Sequence, residues 1–373
     1  MQSQAPRDRR GFCIAIICAL PVEAECVLAV FDETWQSKKY GKAVGDTNAY
    51  STGLIARHPV VLAHMPAMGK VNAATVAAGV RSSFINIKLA LVVGICGGVP
   101  QGPCGEISLG DVVLSQAIIQ YDLGKQYPNG FQGKDTARES QPGLEVASVV
   151  AKLRTSLHRK AFEKDMLVHL RALQENLSDA QQPSWETDLV FHREYVHKHR
   201  ANANEVACAI CESGPDRICP LASSMTCDKL GCEEMGMLRR PQAPPTHTLE
   251  KAPDVEPRLH VGRMGSGDTV IKSGKHRDQL ADQHSLIAFE MEGAGAFSHF
   301  PNGLVIKGVC DYADSHKNKR WQPYAAATAA AFTKSLLGEF SIGAEPEEHG
   351  KKLKPKSRCS RFLHSRLAVH SQR

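Results

Sequence analysis

Three carboxylates stand where an α/β sheet would put them to use. Glu23 lies just past the apolar stretch Phe12 to Leu20, Glu292 follows a second apolar stretch within AFEMEGAGA, and Asp311 closes the run VIKGVC. Ligands of open α/β sheets bind beyond the carboxyl ends of strands, so acids at those points are placed to act on a ligand. A lone acid after a strand serves equally as a helix cap or a solvated charge, and Glu23 reads alternatively as a first-turn residue favoured by the helix dipole. Three acids at equivalent places, beside the paired Gly97 and Gly98, count against coincidence and for a functional role. A second group is His197, His199, Cys208, Cys211, Cys219, Cys227 and Cys232. Cys208 and Cys211 have the C-x₂-C spacing with which two thiolates grip one zinc, and any two of the others would complete a tetrahedron. Reduced free thiols, or occasional disulfides, are the other reading of these cysteines.

The elements that must position the acids alternate. Phe12 to Cys18 reads as a buried strand, and Pro21 sits where a helix's first turn tolerates proline. Pro59 to His64 reads as a strand, Lys70 to Phe84 as an Ala-rich helix, Leu89 to Ile95 as a buried strand ended by Gly97 and Gly98, and Asp111 to Ile119 as another. Residues 127–257 break the rhythm. Helices near Leu144 to Leu157 and Ala161 to Leu177 precede a Cys/His-rich part at 197–232 and the Pro-rich PQAPP. The framework resumes with strands at Leu259 to Met264, Leu286 to Phe289 and Leu304 to Cys310. Helices are expected near Lys272 to Gln283, from Glu292, and from Pro323 to Leu337. The expected fold is therefore α/β, one domain over 11–340 with a mixed, mostly parallel central sheet in three layers and an insertion at 127–257.

Composition narrows the function. Of 373 residues 42% are apolar and 23% charged, a soluble balance, and no apolar run approaches the roughly 20 residues of a membrane span. The net charge is +6, but the eight Lys and Arg of residues 351–373 exceed it, so the body is slightly acidic. Nucleic-acid binding through the Cys/His insert and basic tail is disfavoured, because the tail lacks aromatics for base stacking. Residues 341–373 read as a disordered basic tail. Arg7, Arg9 and Arg10 before an apolar stretch imitate a signal peptide, yet no small-x-small cleavage site follows. Scattered cysteines within apolar runs favour a cytoplasmic, membrane-free reading.

The order of IICALPVEAE, MPAMGKVNAA, VVGICGGV, LGDVVLS, GSGDTV, FEMEGAGA and VIKGVCDYAD resembles the nucleoside phosphorylase and nucleosidase superfamily, nearest to its methylthioadenosine/S-adenosylhomocysteine nucleosidase side. The insert and the run CDYADSHKNKRWQPYAAATAA further resemble a fungal subfamily whose domain is often fused to nucleotide-binding signalling modules and repeats; this sequence holds no such module.

The resemblance implies cleavage of the N-ribosidic bond of a purine nucleoside or nucleotide, with adenine the expected base and no cofactor for catalysis. Asp311 would protonate or hydrogen-bond N7, with a pKa raised by a partly dry cleft and neighbouring carboxylates. Glu292 and the Met291 backbone would hold the ribose hydroxyls, and Glu23 would orient and deprotonate water. Gly97, Gly98 and Cys310 would line the substrate site. The Met291 side chain reads either as packing on the sugar or as core. Two departures stand out. Cys310 replaces the Ser usual before the catalytic Asp, a weaker hydrogen-bond partner, and Ile95–Cys96 replaces small polar residues before the paired glycines. Hydrolysis is preferred over phosphorolysis, since Glu23 would repel a phosphate nucleophile and no Arg follows the first strand. A non-catalytic nucleoside-binding module is the alternative from another class.

For the 5′ end of the substrate, Phe131, Trp321 and Tyr324 offer an apolar pocket. Lys272, Lys275, His276 and Arg277 with Lys317, Lys319 and Arg320 offer a phosphate cluster, Lys275 and Lys319 foremost. The small-molecule partner is thus methylthioadenosine, adenosine or a nucleotide such as ATP, and the family's habit allows a homo-oligomer. Any structural zinc in the insert is expected to be closed and remote from the acids.

Overall fold

Continuous apolar runs become buried strands because both faces of the central sheet are covered. In the computed structural model, which describes residues 5–102, 105–133, 139–200, 208–214, 216–232, 237–238 and 255–340, strand β1 (Ile14–Cys18) is buried at every position. Pro21 opens helix α1 (Pro21–Ala29). Strands β2 (Glu33–Trp35), β3 (Ala49–Ile55) and β4 (His58–His64) form an antiparallel edge that the sequence reading met only at β4. Helix α2 (Lys70–Ser83) leads to β5 (Leu89–Gly98), then β6 (Val112–Gln120), helices α3 (Leu144–Leu153) and α4 (Ser156–Asn176), and β7 (Leu259–Ser266). Helix α5 (Gly274–His284), β8 (Leu286–Glu290), the one-turn α6 (Gly293–Ala296), β9 (Gly303–Asp311) and α7 (Gln322–Glu339) complete the body.

The sheet is mixed. β1 pairs parallel with β4 and β5, and β5 pairs parallel with β9. β6, β7 and β8 are mutually parallel neighbours. Two antiparallel contacts, β8 with β5 and β9 with β6, then curl β5, β9, β6, β7 and β8 into a closed ring. Gly97 and Gly98 are the last two residues of β5, where they pair with Phe289 and Ala288. An added Cβ at Gly97 would meet Ala313 and Asp311, and one at Gly98 would meet Val309, so bare backbone is what admits the end of β9 there.

Helix α7 is buried on all sides from Tyr324 to Thr333, and Gly308 of β9 touches it so closely that an added Cβ would lie 1.8 Å from the Ala325 carbonyl oxygen. Helix α4 packs on α7, with the Phe162 and Phe332 ring centroids 6.3 Å apart. Contacts divide the chain into residues 1–341 and 342–373. The second unit, PQAPP, Cys104 and Cys359 lie outside the described residues. No helix among the described residues is long and apolar enough to cross a membrane.

Candidate active site

Glu23 follows β1 and Asp311 ends β9, both strands parallel to β5, whereas Glu292 follows β8, which meets β5 antiparallel. Glu23, 2% exposed, sits in the first turn of α1 and turns its Oε2 back to accept from the Ala19 and Leu20 amides at 2.8 and 2.9 Å, capping its own helix. Its Oε1 reaches across to β5 and accepts from the Ile95 amide at 2.8 Å. The crossing is possible because residue 94 is glycine, where a Cβ would stand 2.0 Å from that oxygen. Capping and site-building are thus divided between the two oxygens of one side chain.

Glu292 lies at the entry to α6. Its Oε1 accepts from the Gly69 amide at 3.3 Å, and its Oε2 accepts from the Lys307 ammonium at 2.8 Å. Lys307, 1% exposed on β9, also lies 4.0 Å from Glu23 Oε1 and so bridges the two acids. Glu290, buried behind them, accepts from the Glu292 and Gly293 amides and holds the turn. Burial pushes the Glu23 and Glu290 carboxyls up, with Lys307 opposing, while Glu292 and Glu23 hold the Lys307 ammonium above its ordinary value despite burial.

Asp311 ends β9 opposite Gly97, whose added Cβ would lie 3.0 Å from Asp311 Oδ1. Oδ1 accepts from the Ala313 amide at 2.8 Å and from Lys317 at 2.6 Å. Oδ2 lies 3.4 Å from the Cys310 thiol, which also lies 3.5 Å from the Cys96 carbonyl oxygen. The acid's immediate partner is thus a lysine, where the sequence reading looked to other carboxylates. Burial would lower the Lys317 ammonium, but Asp311 outweighs it and the pKa is raised.

Hydrogen-bond capacity shows what the arrangement can do. A carboxylate oxygen has two lone pairs. Glu23 Oε2 and Asp311 Oδ1 are filled by two donors each, whereas Glu23 Oε1, both Glu292 oxygens and Asp311 Oδ2 each have one direct hydrogen-bonding neighbour. Each acid keeps acceptor capacity for a ligand. Met291, between Glu290 and Glu292, is half-buried.

Several expected pocket residues are placed elsewhere. Trp321 and Tyr324 are core residues, 1% and 2% exposed, packed under Gly110, and Phe131 is half-exposed on the hairpin of Gly124–Tyr127 and Gly130–Gly133. The phosphate cluster divides. Arg277 is buried on Asp278 and the Tyr312 carbonyl, Lys317 belongs to Asp311, and Lys319 is exposed in the short turn before α7. Lys272 and Lys275, with Arg193, Glu194, Asp216 and Ser315, line a cavity of about 500 Å³.

The cysteine cluster separates into two sets. His199, Cys208, Cys211 and Cys219 place their ligand atoms within 4.8 Å of one another, and His197, Cys232 and His316 do the same, with Cys227 Sγ 3.7 Å from His197 Nδ1. The second set is not remote from the acids, because His316 lies in the loop that runs from Asp311 to Lys317. Ten cysteines among the described residues are free.

Residues 13–177 match the family described as the Phosphorylase superfamily. The chain is 32% identical over 343 residues to a nucleotide-binding leucine-rich repeat (NLR)-like protein of Hyaloscypha variabilis, a match covering 90% of this chain and 30% of that protein. The chain therefore spans under a third of the length of that curated relative. Among solved structures, it is similar to the 5′-methylthioadenosine/S-adenosylhomocysteine nucleosidase of Neisseria meningitidis in complex with methylthio-immucillin-A, with TM-score 0.50, 14% identity, and 90% and 100% of the two chains covered. It is likewise similar to futalosine hydrolase of Helicobacter pylori, with TM-score 0.50, 15% identity, and 88% and 99% covered.

Proposed function

We propose that the chain, whose residues 13–177 match the Phosphorylase superfamily, hydrolyses the N-ribosidic bond of a purine nucleoside or nucleotide, adenine being the base. The carrying observation is the spare acceptor capacity on Glu23, Glu292 and Asp311, the first two bridged by Lys307 and the third at the end of the strand that carries Lys307. The transition state of this cleavage is cationic at the ribose, and buried carboxylates in excess of their one ammonium favour such charge. Glu292 receives the ribose hydroxyls. Glu23 Oε1 orients a water and takes its proton as oxygen bonds to C1′. The C1′–N9 electrons pass to the base, whose N7 takes a proton at Asp311 Oδ2. Phosphate at the water's place would face Glu23 and Glu292, which supports hydrolysis over phosphorolysis.

The cavity beside Lys272 and Lys275 supports a 5′-phosphorylated substrate, its cations offset in part by Glu194 and Asp216. The test is release of free base from adenosine, inosine, methylthioadenosine, AMP and ATP, with and without phosphate. Phosphate-independent release, reduced at least about 10²-fold in Asp311→Asn, is the expected outcome. Release that requires phosphate and yields ribose 1-phosphate would replace hydrolysis with phosphorolysis, and no release from any substrate would favour a binding module.

A further inference from the structure

We propose that the chain binds two tetrahedral zinc ions, one held within the insert by His199, Cys208, Cys211 and Cys219, the other by His197, Cys227, Cys232 and His316. The second ion ties the insert to the loop after Asp311. Geometry carries the assignment. Zinc bonds of ~2.3 Å to sulfur and ~2.0 Å to nitrogen, at tetrahedral angles, place S and N ligands about 3.6 Å apart. His199 Nδ1 stands 3.5 and 3.4 Å from Cys211 and Cys219 Sγ, and His197 Nδ1 stands 3.7 and 3.5 Å from Cys227 and Cys232 Sγ. In each set one imidazole nitrogen faces two sulfurs at once. A single lone pair accepts one proton, so two thiols crowding it are better accounted for by a cation between them.

Independent features of the surroundings agree. The His197 Nε2 lies 3.0 Å from the Met225 carbonyl oxygen, to which it donates, leaving Nδ1 as the ligand; backbone anchoring of this kind fixes the tautomer of a metal-bound histidine. His316 has a side chain 1% exposed and stacked on Phe191 at 3.8 Å, and neither of its ring nitrogens has a hydrogen-bond partner. A buried polar ring left unsatisfied costs about 1–3 kcal/mol, a cost that metal ligation removes. The His197 amide also donates to Ser315 at 3.0 Å, so insert and loop already meet beside the second set. Cys208 caps a one-turn helix, Ala209–Glu212, that contains Cys211, and the Glu212 amide donates to the Cys208 carbonyl. Thiolate and imidazole together, at tetrahedral spacing, select zinc among the common divalent ions.

Metal content of the purified full chain tests this directly, and does so without reference to any activity. Two zinc equivalents per chain are expected in the wild type, one in Cys211→Ser, and one in each of Cys232→Ser and His316→Ala. Cobalt exchanged for zinc should give sulfur-to-cobalt charge-transfer absorption scaling with two sites in the wild type. None or one equivalent in the wild type would overturn the proposal even if every variant failed to fold. Two equivalents retained in His316→Ala would remove that residue from the second site and with it the tie to the loop.

Discussion

Three buried carboxylates, Glu23, Glu290 and Glu292, share one buried ammonium, Lys307, and this imbalance governs how single residues should respond to change. Replacing Lys307 with Met leaves the acids uncompensated and is expected to cost about 3–5 kcal/mol in urea unfolding near neutral pH. The folded pKa of Glu23 is raised by burial, so its contribution to stability is present below the ordinary 4.5 and is lost as pH rises through the raised value. Glu23→Gln should therefore gain on the wild type as pH increases from 4.5. With Glu23 as the proposed base, which must be ionised to accept a proton, the acid limb of base release should lie above 4.5 too. Gly94→Ala should displace the Glu23 carboxylate and lower base release about 10²-fold, with substrate KM as the companion readout. Glu23, Glu292 and Asp311 were legible because each follows an apolar run. Lys307 and Gly94 were not, since a lysine inside VIKGVC and a glycine inside VVGIC carry no local mark of the residues they face across the sheet.

At the scale of elements, the strands and helices of the framework follow from hydrophobic runs and helix punctuation, and the sequence places them within a few residues. The edge strands β2 and β3 escaped because ETW is short and AYSTGLI mixes polar and apolar residues without clean alternation. The ring also escaped, since the antiparallel contacts of β5 with β8 and β9 with β6 join segments far apart in sequence. Those contacts set tight tolerances. Gly308→Ala should force β9 and α7 apart and cost about 1–3 kcal/mol or more by thermal unfolding, whereas Gly338→Ala, with nothing near its added Cβ, should cost little. The division of the Cys/His residues into two sets was likewise hidden, because His316 lies 84 positions after Cys232 in chain numbering.

Across the whole molecule, residues from both ends of the body meet repeatedly. The Phe340 carbonyl lies 2.9 Å from both Arg57 and His58 side-chain nitrogens, joining the end of α7 to β4. Burial lowers the His58 pKa, so its contribution to stability is present above the ordinary 6.5 and is lost as pH falls through the lowered value. The urea midpoint of the wild type should fall relative to that of His58→Gln as pH drops below 6.5. A folding consequence follows from where Lys307 resides. Glu23 is made well before its ammonium partner, which arrives only with β9. Chains fold from the amino end as they are made, yet burying Glu23 before β9 inserts between β5 and β6 would strand a carboxylate in an apolar interior. The cleft is therefore expected to stay hydrated until β9 docks, so the proposed base release should require a chain extended through β9.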